Sequence, residues 1–497
     1  MKKRLIIYFH YDPRGVVDSS CRFSVSALRE YGQIYFVTNG ILQPESHRWA
    51  EQTCACLQER ENQGFDVGAY RDALLALGCS ALDSWDEVVL MNYTLAGPVC
   101  SLHTMFETMD ARRELDFWGL TRHYAMKSHR FGDRSGKVPE HLQSHFLAVR
   151  PRMYKDFFAY WQNIRLPESY EASVTIHETQ FTRHFSSLGY RWDSYVDTND
   201  LSDAFVNPIM ACPRELIEHR NCPFFKRRSF FTPYADELRR TDGQSAGELY
   251  RYLKMKTEYP VDTLIADLLP VEPLSAMSQN LHWHYLLAEP AEILPQELTE
   301  AELRRGASLE AGKFYFLRVP DSASGAESYY MRSYAPNSET LRSAVCLMQN
   351  CPLAGLSGPA LPLFPQCAER KFSKWKADLP DLERKMKELG LSVPLDTAQP
   401  LELPNGGFLI LRAEAFPQGL PPIQTAGDLW LLPLIAQQNG YASVTFETQE
   451  QAMARCDVLN AMAAENRGVK AKAVSLARAF KHGLNERLSH KSTAGGK

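Results

Sequence analysis

The amino-acid sequence predicts an α/β protein of two successive modules, the first built on a mainly parallel sheet with helices on both faces. Short apolar runs alternate with helical stretches through the first 200 residues, which is typical of a parallel sheet whose strands are joined by crossover helices. Similar runs return in the second half. With 44% hydrophobic and 23% charged residues among 497, the composition excludes disorder, collagen and coiled coil as the main architecture.

The elements of the first module follow from the period of their apolar residues. In chain order they are a strand at Leu5–Phe9, a helix at Cys21–Tyr31, a strand at Gln33–Val37, a helix at Gly68–Leu77, strands at Glu87–Met91 and Phe146–Val149, and a helix at Tyr154–Trp161. Ligands of such sheets bind beyond the carboxyl ends of the strands. We therefore look first at the polar residues that follow the strands: Asp12, Asn39, Asn92 and Thr94.

The domain boundaries are placed by composition and by weak internal repeats. The first module is expected at residues 1–258, a proline-rich linker at 259–277 and a second α/β module at 278–455. HFLAVR at 145–150 is similar to GFLILR at 407–412, and LMNYTLAG at 90–97 is similar to LMQNCPLAG at 347–355. A duplicated module explains these pairs. The alternative is that buried strands look alike because they share the same residue types.

The carboxyl-terminal segment, residues 456–497, differs from the rest of the chain. After Asn466 it carries eight Lys or Arg residues and a single acid, with apolar residues at steps of three and four. This pattern predicts a basic amphipathic helix. One interpretation is peripheral contact with an anionic membrane surface. The other is a terminal helix packed on its own domain with its charged face in water.

Charge and cysteine content exclude several classes of protein. A net charge of −4 gives no global basic field for nucleic acid. The eleven cysteines contain no C-x-x-C spacing, which argues against structural zinc and against a secreted disulfide scaffold.

No apolar run approaches the roughly 18 residues that cross a bilayer, and the first apolar run is too short for a secretion signal. We expect a cytoplasmic protein.

The segment with the richest chemistry is ENQGFDVGAYRDAL at 61–74. Gly64 and Gly68 flank Asp66 just before a helix, so the backbone can approach a ligand closely and the free N–H groups suit an anion. Asp66 is a candidate acceptor for ribose hydroxyls. The alternative is an Asp that caps the helix in a tight turn.

Three further segments carry candidate residues. Asn92 and Thr94 end a buried strand and suit a diphosphate or a hydrated metal, or else a capped turn. His141 and Gln143 alternate on one strand face, so both are expected to point into a cleft. Glu178 opens an apparent helix, where a carboxylate serves either as a general base or as a favourable first-turn charge.

Together these segments resemble the rhamnan synthesis protein F family. The resemblance is carried by ENQGFDVGAYRDAL, VVLMNYTLAGPV, DFWGLT, HLQSHFLAVR, HETQFTRHFSSLGY and CPFFKRRSFF. It is dense over about residues 1–235 and thinner over 275–455. The resemblance implies a polysaccharide-assembly glycosyltransferase of the bacterial cell envelope, acting on O-antigen or capsule, with a GT-A-like fold for nucleotide sugars. A non-catalytic glycan-binding or scaffold protein is the alternative.

The resemblance also implies roles for particular residues. Donor binding falls to Asp12, Asn39, Asn62, Asp66, Gly68 and Asn92, and acceptor contacts to His141, Gln143 and Ser144. Glu178 matches the family's acidic position and is the expected base of an inverting transfer. The suspected donor is dTDP-L-rhamnose, and the suspected acceptor is a lipid-linked glycan.

One departure from the family concerns metal binding. The family usually has Asp after the strand-end Asn, whereas this chain has Tyr93. The leaving diphosphate is then neutralised either by Mg²⁺ or Mn²⁺ or by a cationic clamp from Lys226, Arg227 or Arg228; the three basic residues could equally form a solvated loop. The second module is expected to be degenerate, because its corresponding segment, 349–352, lacks acids.

Overall fold

The structure, a computed structural model, describes residues 2–132, 135–319, 336–363, 365–461 and 464. Contacts within the chain divide it into two units, Met1–His282 and Trp283–Lys497. Beyond residue 464, the predicted basic helix lies outside the described residues. Among the helices that are described, none combines the length and the apolar character needed to span a membrane.

The first unit contains thirteen strands and fourteen α-helices among its described residues. The strands are β1 (Arg4–Tyr11), β2 (Gln33–Asn39), β3 (Cys56–Arg60), β4 (Glu87–Asn92), β5 (Leu95–Ala96), β6 (Phe117–Gly119), β7 (Arg122–His123), β8 (Met126–Lys127), β9 (Lys137–Val138), β10 (His141–Leu142), β11 (Phe146–Val149), β12 (Trp192–Ser194) and β13 (Phe225–Lys226).

The α-helices of this unit are α1 (Ser19–Leu28), α2 (Pro44–Thr53), α3 (Phe65–Leu77), α4 (Cys79–Leu82), α5 (Leu102–Ala111), α6 (Tyr154–Asn163), α7 (Tyr170–Ala172), α8 (Thr179–Ser187), α9 (Pro208–Ala211), α10 (Pro213–Arg220), α11 (Tyr234–Arg240), α12 (Ser245–Lys256), α13 (Val261–Leu268) and α14 (Leu274–Leu281). A π-helix, Ser173–Glu178, joins α7 to α8. Short 3₁₀ turns occur at Pro151–Met153, Asn199–Leu201 and Arg227–Phe230.

Seven of these strands form one sheet in the order β12-β6-β11-β4-β1-β2-β3. β1 pairs in parallel with β2 and β4, and β2 with β3. β11 lies antiparallel to both β4 and β6. The predicted α/β class with a mainly parallel sheet is thereby confirmed.

Helices cover both faces of this sheet because side chains alternate along its strands. Ile6 and Tyr8 of β1 face one core cluster, to which α1 and α5 contribute. Leu5, Ile7 and Phe9 face the other, to which α3, α6 and α8 contribute. The parallel strands β1, β2 and β4 therefore end at one common edge, which brings the turns after Tyr11, Asn39 and Asn92 together.

The proline-rich segment at 259–277, expected as a linker, contains α13 and the first half of α14. Pro260 and Pro273 stand directly before these helices. Proline suits this position because N–H groups at the start of a helix have no partner within the helix, so the absence of one removes no hydrogen bond. Both helices lie within the first unit.

The second unit is also α/β. Its described elements are β14 (His284–Leu286), β15 (Gln296–Glu297), α15 (Glu300–Arg305), β16 (Phe314–Arg318), α16 (Ser338–Asn350), β17 (Ala354–Pro359), α17 (Pro365–Glu388), β18 (Phe408–Arg412), α18 (Leu431–Gln438) and β19 (Ala442–Glu447), with 3₁₀ turns at Ala413–Ala415 and Ala426–Trp430. Its sheet runs β14-β19-β17-β18-β16-β15.

The two sheets share one local pattern that the repeats suggested. β18 carries the GFLILR segment and lies antiparallel between β17 and β16, as β11, with HFLAVR, lies between β6 and β4. The pairing of LMQNCPLAG with the end of β4 is wrong, because Leu347–Asn350 is the last turn of α16. An apolar run at the end of a buried helix looks like a strand when it is read alone.

Candidate active site

A polar cluster forms where α3 begins beside the end of β4. Asn92 donates through Nδ2 to Oδ2 of Asp66 at 3.1 Å, while its Oδ1 accepts from the hydroxyl and the N–H of Thr94 at 2.5 and 3.2 Å. Asp66 also accepts the N–H of Val67 at 3.0 Å. The structure therefore joins the two loops that the sequence singled out, and the same contacts also form the capped turn that was the alternative.

The loop before α3 approaches that helix so closely that only glycine fits at position 68. A Cβ on Gly68 would lie 2.3 Å from the carbonyl oxygen of Gln63. Gly64 precedes α3 with φ of +71°, and Phe65 follows with φ of +54°, a left-handed conformation that costs a bulky residue energy. This strained turn sets Asp66 at the start of the helix.

Ser144 links Asp66 to Glu178. Its hydroxyl lies 2.5 Å from Oε2 of Glu178 and 3.4 Å from Oδ2 of Asp66, and its N–H lies 3.3 Å from the same Glu178 oxygen. A hydroxyl has one proton to donate, and the shorter distance assigns it to Glu178. Two carboxylates, separated by 112 positions in the sequence, thus share one side chain.

The two carboxyl groups differ in their environments. Burial, and then the negative charge of Glu178, raises the pKa of Asp66. Burial also acts to raise the pKa of Glu178, but the nearby ring of His141, the hydrogen bonds from Ser144 and the charge of Lys226 outweigh it and hold that pKa well below the usual range. Two neighbouring carboxyl groups whose pKa values are shifted in opposite directions are typical of sites that supply both an acid and a base.

Glu178 is the last residue of the π-helix. Ser173, the first residue of the same π-helix, lies with its Oγ 3.5 Å from Oδ1 of Asp66. Because the π-helix continues directly into α8, Glu178 does not stand at a free helix start, and the alternative of a first-turn charge is wrong. π-Helical turns are rare and frequently occur at functional sites; we found no signal for this one in the sequence.

Lys226 reaches the cluster from β13, which pairs with β5 just after Thr94. Its Nζ lies 3.0 Å from Oγ1 of Thr94. Burial lowers the pKa of Lys226 to about 8, although the nearby charges of Glu178 and Asp66 oppose this effect. The ammonium group therefore contacts the strand-end turn and interacts electrostatically with both carboxylates.

The other two basic residues of this segment point elsewhere. Arg227 is buried and pairs with Asp18 at 2.5 Å, and Arg228 is exposed, with Nη1 3.5 Å from the hydroxyl of Tyr170. The solvated loop expected as the alternative does not describe Lys226 or Arg227, because both are at least partly buried in short regular elements.

His141 is buried beside Glu178, with Nε2 3.6 Å from Oε1 of that residue. Gln143 is oriented differently, since its Oε1 accepts from Thr121 at 2.8 Å and its Nε2 lies 3.4 Å from Oδ1 of Asn207. β10 ends at Leu142, so the expected alternation does not carry from His141 to Gln143. No sequence pattern points to His123, whose ring stacks on His141 at a centroid distance of 5.1 Å.

A second polar group lies at the ends of β1 and β2. Asn39 donates to Oδ1 of Asn62 at 3.1 Å and lies 3.4 Å from the carbonyl oxygen of Phe65, which connects this group to the start of α3. Asp12 accepts the N–H groups of Arg14 and Val16 at 2.8 and 3.2 Å and so closes the turn after β1.

The donor atoms of the cluster do not fit a divalent ion held by the protein alone. In the part of the chain that the structure describes, no group of three or more His, Cys, Asp or Glu residues is arranged so that it could hold a metal ion. Tyr93, at the position where the resemblance leads us to expect Asp, packs its ring 5.8 Å from that of Phe9 and beneath the guanidinium of Arg227. The cation that this chain supplies to the cluster is Lys226.

Comparisons with known proteins agree with the family resemblance that the sequence motifs indicate. Residues 34–303 match the family described as rhamnan synthesis protein F. A protein of Sinorhizobium fredii, the uncharacterised protein y4gN, is 24% identical over 239 residues, which is 47% of this chain and 59% of that protein. The chain thus spans less than two thirds of the curated relative.

Two solved structures are distantly similar. One, assigned as a nucleotide-diphospho-sugar transferase from Desulfovibrio desulfuricans G20, has a TM-score of 0.24 and 9% identity, covering 38% of this chain and 78% of that one. The other, a glycosyltransferase involved in glycosylation of the major capsid of PBCV-1, has a TM-score of 0.25 and 10% identity, covering 45% and 93%. These scores are low, whereas the family match extends over more than half of the sequence. The chain belongs to the rhamnan synthesis protein F family.

Proposed function

We propose that this protein is a glycosyltransferase that moves a sugar from a nucleotide-diphosphate donor to a growing cell-surface polysaccharide such as O-antigen or capsule. Membership of a rhamnan synthesis family supports this. The observation that carries the proposal is the convergence of Asp66, Asn92, Glu178 and Lys226 in one cluster at the carboxyl ends of parallel strands. This edge is where α/β sheets bind their ligands.

In this proposal the donor lies across the ends of β1, β2 and β4. Lys226 and Thr94 face its diphosphate, since a charge-assisted hydrogen bond from an ammonium group stabilises the negative charge that develops on the leaving phosphate. Asp66 and Asn92 contact the sugar or the ribose. Asp12, Asn39, Asn62 and the close turn at Gly68 complete the donor site. dTDP-L-rhamnose is the donor we favour, because the family is named for rhamnan synthesis.

Glu178 is the proposed base of an inverting transfer. It removes the proton of the acceptor hydroxyl while that oxygen attacks the anomeric carbon from the face opposite the leaving diphosphate. A well-placed base contributes typically 10²- to 10⁴-fold to such a step. Ser144 and His141 lie against Glu178 and so border the acceptor, a lipid-linked glycan in our proposal. Gln143 contributes to the acceptor site indirectly, through its contacts with Thr121 and Asn207.

A second candidate function is a non-catalytic glycan-binding or scaffold protein. The observation in its favour is the lowered pKa of Glu178, because a carboxyl group whose pKa is held far below neutral pH is a weak proton acceptor. The replacement of the family's Asp by Tyr93 favours it as well.

The substitution Glu178→Gln separates the two functions. We expect the variant to bind nucleotide sugar as the unsubstituted chain does and to transfer sugar at least about 100-fold more slowly, because the base alone is removed. Binding is measured by calorimetry and transfer by release of the nucleoside diphosphate. Unchanged transfer would exclude Glu178 as the base. Glycan binding without transfer in the unsubstituted protein would favour the scaffold.

We also propose that the basic carboxyl-terminal segment contacts an anionic membrane surface, where each Lys or Arg contributes about 1 kcal/mol. The support is its sequence, with eight basic residues against one acid after Asn466. Sedimentation with anionic liposomes, comparing the full chain with one ending at Asn466, tests this: equal partitioning of the two would exclude it.

A further inference from the structure

The imidazole of His141 has one nitrogen whose role is fixed by the backbone. Nδ1 lies 2.8 Å from the carbonyl oxygen of Pro139. A carbonyl oxygen only accepts hydrogen bonds, so Nδ1 must carry a proton. In the neutral ring, Nε2 is then an acceptor with a free lone pair.

Nε2 of His141 is buried, has no hydrogen-bond partner among the described residues and faces Oε1 of Glu178 at 3.6 Å. With a neutral ring, two acceptors confront each other in an interior where an unpartnered polar atom is costly. A single proton placed between them converts the contact into a charge-assisted hydrogen bond. The pair is therefore built to gain one proton.

The other oxygen of Glu178 is already occupied. Oε2 accepts the hydroxyl and the N–H of Ser144, which leaves Oε1 free to exchange a proton with Nε2. A carboxylate alone is poorly matched to proton removal at neutral pH, whereas imidazole is the side chain whose charge ordinarily changes in that range. A relay from Glu178 to His141 would remove this mismatch.

We propose that Glu178 and His141 act as a pair, and that the proton of the acceptor hydroxyl comes to rest on Nε2 of His141. This rests on the proposed transferase function. The acceptor oxygen bonds to the anomeric carbon, and the carbon–oxygen bond to the diphosphate breaks with its electron pair leaving on the phosphate. The hydroxyl proton passes through Oε1 of Glu178 to Nε2, and the ring later returns it to water. His141 acts through Glu178 and is a positioning residue.

The groups around the ring do not compete for this proton. Burial lowers the pKa of His123 to about 4, and His141 adds to the effect. Burial, and then the charge of Lys226, holds the pKa of His145 well below its ordinary value. From α8, Thr182 presents a hydroxyl that binds the N–H of Leu142. Asp66 and Lys226 also interact electrostatically with Glu178, and Arg122, the neighbour of His123 in β7, is bound to Glu140 and Asp193.

The first test is a pH profile of the full chain. Release of nucleoside diphosphate is followed from about pH 5 to 9, with water as the acceptor and a panel of nucleotide sugars that begins with dTDP-L-rhamnose. His141→Gln keeps a group that can hydrogen-bond to Glu178 but takes no proton. We expect it to be about 100-fold slower and to lose activity on the acid side at least about one pH unit lower, where a carboxylate titrates.

His123→Gln is the matched control, because it removes the stacked ring and leaves the contact with Glu178 intact. We expect the activity of this variant to fall on the acid side of its pH profile, its acid limb, at the same pH as in the unsubstituted protein. If His141→Gln lowers the rate equally at all pH values, with the acid limb unmoved, His141 has only a structural role and the proposal is overturned.

The second test does not depend on turnover. In protein labelled at the histidine Cε1 carbons, the resonance that disappears in His141→Gln belongs to His141. Its titration midpoint should fall in Glu178→Gln, since the carboxylate that favours the protonated ring is gone. An unchanged midpoint overturns the pairing. A shifted midpoint without turnover of any donor supports the pair and contradicts the proposed transferase function, so the two failures are distinguishable.

Discussion

At the scale of single residues, the cluster is defined by two carboxyl groups with opposite environments. Asp66 accepts a hydrogen bond from Asn92, and burial, followed by the charge of Glu178, raises its pKa. For Glu178, burial is outweighed by the effects of His141, Ser144 and Lys226, and its pKa is lowered. Ser144 is the side chain that touches both. The chemistry of the cluster thus depends on which donors reach each carboxyl group.

Lys226 gives the donor site a pH dependence that can be measured. Because burial lowers its pKa to about 8, the ammonium is charged at pH 7 and loses its charge as the pH rises towards 9. We expect the affinity for dTDP to weaken over that range. Lys226→Met should weaken binding about tenfold at pH 7, which is the size of a charge-assisted hydrogen bond, and should flatten the pH dependence.

The control for this measurement is Lys155→Met, which removes an exposed lysine of α6. Calorimetric titration with dTDP at pH 7, 8 and 9 gives all the values needed. If the affinity of the unsubstituted chain stays constant across the three pH values, Lys226 does not contact the phosphates.

Part of this cluster could be predicted from residue types and strand ends. Asn92 and Asp66 lie where the strand-edge rule places ligand-binding residues, since polar residues that follow buried parallel strands meet at one edge. The direction of Gln143 could not be predicted, because β10 ends one residue before it. Ser144 bridges Asp66, which lies 78 residues before it in the sequence, and Glu178, which lies 34 residues after it. No local sequence pattern encodes contacts over such separations.

At the scale of elements, strongly buried strands were predicted well and exposed or very short ones were missed. β1, β2, β4 and β11 agree with the sequence within about two residues, because their apolar runs are unbroken. β3 was missed, since it is a half-buried edge strand that reads Cys-Leu-Gln-Glu-Arg. The reversed direction of β11 was also missed, because the residues of a strand do not specify whether it pairs in parallel.

A buried carboxylate fixes the amino ends of β1 and β4, on the side of the sheet away from the cluster. Glu87 is fully buried and accepts hydrogen bonds from Arg4 at 2.8 Å, Trp118 at 3.0 Å and Arg150 at 3.1 Å. It thereby joins β1, β4 and β6 to the residue that follows β11. Its contribution is to the stability of the sheet, since none of these groups reaches the donor site.

Glu87→Gln should therefore lower the free energy of unfolding by about 3–5 kcal/mol, because the buried guanidinium of Arg150 loses its counter-charge and that of Arg4 keeps only the partly exposed Asp110. Chemical denaturation measures this. Asp110→Asn is the control: Asp110 pairs with Arg4 and Lys2 but is partly exposed, so we expect a loss of less than about 1 kcal/mol. Equal losses in the two variants would contradict the role assigned to Glu87.

At the scale of the whole molecule, the proposed chemistry belongs to the first unit. The family match at residues 34–303 covers most of Met1–His282 and only the beginning of the second unit. Every residue of the cluster lies within the first unit as well. The second unit has an α/β sheet of its own with one antiparallel strand in its interior, and we propose that it is degenerate as an enzyme.

The central claim is that the loops at 62–72 and 92–98 form one nucleotide-sugar site with Glu178, and calorimetric titration tests it most directly. The full chain is titrated with dTDP-L-rhamnose and a panel of other nucleotide sugars, with EDTA and then with Mg²⁺. We predict saturable binding of one donor in both conditions, lost in Asp66→Ala and retained in Glu61→Ala, which removes an exposed charge from the same loop. Binding that Asp66→Ala leaves unchanged, or no binding of any nucleotide sugar, would contradict the account.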